Sequence, residues 1–180
     1  MPQSFPGFNP PAAGFDAPID MLSSCHDKLV QRCQTLSRLP DHVGLNGADE
    51  QARSAAQSLL KYFDGPARFH HADEEQDLFP ALLETMAGSD AVCLRQLFDR
   101  LSTEHRSLEA QWQKLRPFIV DVSEGRPASL PRSDVQTFID EYACHLQCEE
   151  QELLPLARRL LDATALEQMG LAMHARRNPS

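Results

Sequence analysis

Seven residues have the type and spacing to bind metal ions: His26, His70, Glu74, His105, Glu109, His145 and Glu149. Four of them lie in two segments that match when aligned, HHADEEQDLFP from His70 to Pro80 and HLQCEEQELLP from His145 to Pro155, with six of eleven positions identical. The alignment pairs His70, rather than His71, with His145. In each copy the His precedes a Glu by four residues, which puts an imidazole and a carboxylate on one helical face about one turn apart. His105 precedes Glu109 by the same interval, and His26 stands alone. Imidazole and carboxylate ligands together suit iron or manganese, whereas structural zinc favours tetrahedral sites with thiolates. Two ions bridged by Glu74 and Glu149 is the natural stoichiometry.

Four helices must position these residues. From Pro18 onward apolar residues recur at intervals of three and four, and no stretch alternates as a strand would, so the chain is all-α. The first helix runs from about Pro18 to Leu39 and ends at Pro40 and the loop DHVGLNGAD. A second spans roughly Asp49 to Met86 with a kink at Gly65-Pro66. A third covers about Asp90 to Val122, and a fourth runs from Ser133 to Leu161. Together, residues 19–161 form an up-down-up-down bundle. Before it, residues 1–18 carry five prolines with Phe5, Phe8 and Phe15, and read as an extended arm docking on the body or on a partner. After it, Thr164 and Glu167 form a capping box, so a short terminal helix lies within 162–180.

The four histidines fall at one height. Residues equidistant from a tight turn meet when two helices pack antiparallel; the midpoint of His70 and His105 is 87.5, beside Gly88, and that of His105 and His145 is 125, at Gly125. His26 and His70 centre on 48, inside DHVGLNGAD. All four lie on apolar stripes, so one buried layer holds four imidazoles and at least two carboxylates. Burying such groups unpaired costs roughly 2–7 kcal/mol each. The layer therefore needs either metal ions or a complete hydrogen-bond network.

On these residues the chain resembles hemerythrin-like proteins, also called HHE cation-binding proteins. The resemblance covers about residues 19–161 and rests on His26, His70 with Glu74, His105, and His145 with Glu149, in the contexts DEEQDLFP and CEEQELLP. It implies a four-helix bundle around a non-haem di-iron centre that binds or responds to oxygen, nitric oxide or redox state. Oxygen carriers of that family have a second His on the third helix, four residues after the first, where this chain has Glu109. As a ligand, Glu109 would favour ferric iron; outside the ligand set, it would leave a position open. Both outcomes favour sensing, iron handling or redox chemistry over simple oxygen carriage.

Composition narrows the remaining classes. Acids outnumber Lys and Arg by 26 to 17, giving a net charge of -9, which repels nucleic acid and anionic membranes. Arg176 and Arg177 are too few for a nucleic-acid patch. No apolar run is long enough to span a membrane, and the first residues lack the pattern of a secretory signal, so a cytoplasmic protein is expected. Five cysteines, an odd count, speak against a disulfide framework. Cys25, Cys144 and Cys148 neighbour His26, His145 and Glu149 in sequence, yet read first as ordinary free thiols. His71 with Glu75 reads as a solvated or supporting pair, Tyr142 as a core residue, and His42 and His174 as exposed. Three functions stay open: a protein binding a small ligand such as O2 or NO, as a monomer or homodimer; an enzyme acting on peroxide, nitric oxide or ferrous iron; and a metal-free structural bundle.

Overall fold

Proline and glycine set the ends of the first helix, though not as the sequence suggests. A computed structural model of the chain describes residues 14–86 and 89–178. Helix α1 (Pro18–Asn46) begins on a proline, where the missing N–H has no helical partner to lose, and stops at Gly47 with φ of +69°. Pro40, expected to end it, lies inside it. The apolar stripe continues past Pro40 through Val43, and burial of both residues offsets the single hydrogen bond lost to the Leu36 carbonyl.

The second leg is α2 (Glu50–Phe63), α3 (Pro66–Asp73), a π turn over Glu74–Leu78, and α4 (Phe79–Thr85). Asp49 caps α2 by accepting from the Ala52 N–H at 2.8 Å, and the expected kink falls at Asp64-Gly65, just before Pro66. The third leg is α5 (Ser89–Ser123). The fourth is α6 (Arg132–Cys148), a second π turn over Glu149–Leu153, and α7 (Leu154–Leu160). Helix α8 (Ala163–Arg177) follows, capped by the Asp162 carboxylate on the Ala165 N–H at 2.8 Å. The expected cap at Thr164 is thus displaced two residues upstream, because the backbone already leaves the helix at Leu161 and presents Asp162 as the first acceptor. Residues 1–13 of the proposed arm, with Phe5 and Phe8, and residues 87 and 88 of the turn at Gly88 lie outside the described residues. Among the described residues there is no strand.

The interior is two dry clusters separated by a polar slab. One cluster holds Leu29, Leu36, Phe63, Leu108, Trp112 and Phe138; the other holds Leu22, Leu78, Phe79, Leu101, Leu153 and Met173. Each leg passes from one cluster to the other through its metal-type residues: Leu22 to His26 to Leu29, and Leu101 to His105 to Leu108. Phe15, just before α1, packs edge-on against His174 of α8, so this part of the arm docks on the body.

Candidate metal centre

Both π turns arise from the same local conflict. Pro80 and Pro155 each follow six residues behind a buried Glu, and a proline ring in a helix interior collides with the carbonyl four residues back, here Gln76 and Gln151. Widening the backbone by one residue relieves the clash, and the Phe79 and Leu154 N–H groups bond to the Glu74 and Glu149 carbonyls five residues earlier. The unwinding starts at the carboxylates themselves. Regular amphipathic periodicity carries no sign of it; the recurring E-E-Q-x-L-x-P was the available signal.

Glu74 and Glu149 are fully buried, and each carboxylate divides its oxygens between two sides. Glu74 Oε1 lies 3.5 Å from His70 Nε2, and its Oε2 lies 3.4 Å from His105 Nε2. Glu149 Oε2 faces His26 Nε2 at 3.2 Å and His70 Nε2 at 3.9 Å, while its Oε1 faces His145 Nε2 at 2.9 Å and His105 Nε2 at 3.6 Å. Two poles result. His26 and His70 define one, His105 and His145 the other, and the two glutamates span both. Potential ligand atoms of His26, His70, Glu74 and Glu149 lie within 4.8 Å of one another, as do those of Glu74, His105, His145 and Glu149.

His71 joins the second pole. Its ring stacks on His105 with centroids 4.0 Å apart, and it forms a third close group with His105 and His145. It does not pair with Glu75, as the spacing of four suggested. Glu75 instead accepts from His105 Nδ1 at 2.7 Å, and its counterpart Glu150 accepts from His26 Nδ1 at 2.6 Å. The paired glutamates of each copy therefore divide their work: the first enters the layer and the second fixes an imidazole on another leg. Glu104 does the same for His145 at 2.8 Å. Such outer hydrogen bonds commit Nδ1 to its proton and leave Nε2 with a lone pair turned inward. His70 Nδ1 has no such partner; the group beside it is the Cys25 thiol.

The fit to metal ions rests on unpartnered atoms. The five Nε2 atoms of His26, His70, His71, His105 and His145, and all four oxygens of Glu74 and Glu149, are buried without a hydrogen bond. At about 1–3 kcal/mol each, leaving them so would cost on the order of 10–25 kcal/mol, more than a typical domain's whole stability. Lone pairs converging on lone pairs require positive charge between them. Protons are the only such charge the chain itself supplies: burial opposes charging of His105, yet Glu149 and Glu74 raise its pKa to about 10. Burial likewise opposes charging of His70 and His145, yet Glu74 and Glu149 raise the first and Glu149 with Glu104 raises the second. Four imidazoles hold Glu149 well below the usual carboxylate range despite burial. His71 goes the other way, kept neutral by burial and by the three histidines around it, which is the state a ligand needs. A cation at each pole would be held by that pole's two imidazoles and the shared glutamates, satisfying eight of the nine atoms, with His71 Nε2 beside the second pole. No cysteine belongs to these groups, which argues against a structural zinc site.

Of the seven residues singled out by spacing, six converge on this layer. Glu109 does not: its side chain is 35% exposed, lies 3.6 Å from Arg68, and accepts from Gln113 at 2.9 Å. The expectation that it could serve as a ligand is corrected: although it lies four residues after His105, its carboxylate is held outside the layer by Arg68 and Gln113. Tyr142 is buried in the aromatic cluster with Phe63 and Phe138. Cys144 is exposed, and Cys33 is a core residue whose thiol burial pushes up to about 12. His174 is exposed, and His42 is partly so, bonded to Asp49 at 2.9 Å. No helix among the described residues is long and apolar enough to cross a membrane.

Comparison with known proteins agrees with this geometry. The chain is 31% identical over 165 residues to an uncharacterized protein of Haemophilus influenzae, covering 92% of each chain. The model of the hemerythrin HHE cation-binding domain matches residues 17–157, which include the whole layer. With its four legs, two poles and paired H-x-x-x-E motifs, the chain belongs to the hemerythrin HHE cation-binding family and is a metal-binding helical bundle.

Proposed function

We propose that the centre holds two iron ions bridged by Glu74 and Glu149, and that the protein binds or senses dioxygen or a related small molecule such as nitric oxide. The observation that carries this reading is the set of nine inward-facing, unpartnered atoms divided between two poles. Mixed imidazole and carboxylate donors without thiolate suit iron. The poles are unequal: His105 and His145 join the glutamates at one with His71 beside them, whereas only His26 and His70 do at the other. A ligand set of two imidazoles plus carboxylates with positions to spare is the arrangement that admits an exogenous molecule. Iron held there supplies a reversible redox change and a Lewis-acidic position for a small electron-rich ligand.

The chain's own residues set the conditions around it. Glu75, Glu104 and Glu150 hold three imidazoles in one tautomer, and the two dry clusters exclude water from both sides of the layer. Purified protein loaded with ferrous iron under anaerobic conditions should contain about two ions per chain, and fewer than one overturns the reading. Visible absorption that appears with oxygen and disappears on deoxygenation supports binding. Rapid irreversible oxidation with consumption of added peroxide would instead make the protein an enzyme.

A further inference from the structure

We propose that Arg176 on α8 is a positioning residue for Glu74, so that docking of the terminal helix and metal occupancy are coupled. The proposal rests on reading the layer as a metal centre. Asp73, immediately before Glu74, is fully buried, and Asp77 follows three residues after Glu74 in the π turn. Arg176 donates to the carboxylates of both, to Asp77 at 2.8 Å, and reaches Gln76 Oε1 at 3.2 Å. One guanidinium thus straddles the turn that aims Glu74. Arg177 adds a second cation, donating to Asp73 Oδ2 at 2.5 Å.

The second copy repeats the device with parts from elsewhere. Cys148 and Glu152 occupy the positions of Asp73 and Asp77, and Arg100 of α5 donates to the Cys148 sulfur and lies 3.8 Å from Glu152. Two arginines from unrelated helices therefore bridge the same two positions of the two π turns. A π turn is a poor helix held only by its surroundings, and a planar fork spanning both ends fixes its width.

Helix α8 in turn depends on this contact. It lies beyond the matched residues 17–157 and buries only Met169, Gly170 and Met173. Gly170 lets the Phe15 carbonyl come so close that an added Cβ would collide with its oxygen. Its polar attachment centres on the buried Asp73 carboxylate, which receives both Arg176 and Arg177 and needs its cations in place. A cation that fixes Glu74 fixes the spacing of Asp73 and Asp77, and by reciprocity a docked Arg176 favours the cation.

The test uses the full chain and ferrous iron without oxygen. Arg176→Met keeps the side-chain bulk and leaves Arg177 on Asp73, and should bind iron about tenfold more weakly while remaining helical, with partial rescue in Arg176→Lys. In the wild type, iron should slow amide hydrogen exchange across residues 163–177, and this protection should vanish in Arg176→Met. Should that variant fail to fold, Asp77→Asn removes the other end of the bridge and should show the same loss. Unchanged affinity in a folded variant, or α8 exchange indifferent to iron in the wild type, overturns the coupling alone. A wild-type chain that binds no iron overturns the underlying reading as well, before any variant is made.

Discussion

After the ligand histidine, the first copy of the repeated motif has His71 and the second has Leu146, and this exchange sets the imbalance between the two poles. His71 lies in the layer against His105, whereas Leu146 packs in the apolar cluster below it. The outer contacts show a second asymmetry. His26, His105 and His145 each donate to a carboxylate, and His70 alone faces a thiol. Glu104 and Cys25 occupy matching places, each directly before a layer histidine on its own helix. A near-symmetric frame thus carries two departures, one adding an imidazole to the richer pole and the other leaving a histidine of the poorer pole without a carboxylate partner. On the proposed function, both make the His26–His70 pole the place where an exogenous molecule would enter.

Removing what the two poles share should have the largest effect. Glu149→Gln and Glu74→Gln each replace one of the two oxygens that span the poles with an amide nitrogen and remove the charge that both poles share, and each should lower iron affinity by more than about a hundredfold, beyond the range of changes outside the ligand set. Metal analysis after gel filtration checks this. Retention of two ions by either variant would show that the carboxylates do not bridge.

His71→Leu makes the first copy like the second. It should weaken iron binding at the His105–His145 pole by about 10- to 100-fold and leave the other pole loaded, so that titration shows one tight and one weak ion instead of two tight ones. Two unchanged sites would return His71 to a packing role. The change keeps bulk in the layer, so the metal-free fold should survive.

The braces offer a finer comparison. Glu75→Gln, Glu104→Gln and Glu150→Gln should each speed iron release to a chelator by roughly tenfold or more, because the amide no longer fixes the imidazole's proton on Nδ1. Cys25→Ala should do less. Cys25→Asp, which supplies the missing fourth carboxylate, should slow release from the poorer pole. Equal release from all five variants would mean that the outer carboxylates are ornaments of a site fixed by packing.

Protonation separates the loaded and metal-free forms. In metal-free protein the folded pKa of His105 is raised from 6.5 to about 10, so its protonated form stabilises the fold fully below pH 6.5, and that contribution is lost as pH rises towards 10. Thermal midpoints measured with a chelator should therefore fall between pH 6.5 and 10. Iron-loaded protein should not show this decline, because the cations replace the protons.

Much of this was legible in the residues. The layer of His26, His70, Glu74, His105, His145 and Glu149 followed from spacing and from the midpoints of three turns, because antiparallel helices fix height by arithmetic. What escaped was set by rotation about the helix axis. His71 and Glu75 share a face in a regular helix, yet the π turn beginning at Glu74 swings Glu75 to His105 and leaves His71 in the layer. The link from Arg176 to Asp73 was also hidden, since 103 residues separate the partners and neither lies on a periodic stripe. Pro40 misled for a related reason: a local breaker was overruled by burial that only the tertiary structure reveals.

The smallest effect belongs to Glu109. Its motif is the same H-x-x-x-E that supplies bridging carboxylates from two other legs, so sequence alone ranks it with Glu74 and Glu149. No proline follows it at the position of Pro80 and Pro155; α5 runs straight past, and the side chain ends beside Arg68 and Gln113. Glu109→Gln should therefore leave iron content at two ions per chain and affinity within about twofold, since an exposed ion pair contributes little. A large loss would mean that the side chain rotates inward on loading, giving the His105–His145 pole a third carboxylate and widening the imbalance between the two poles.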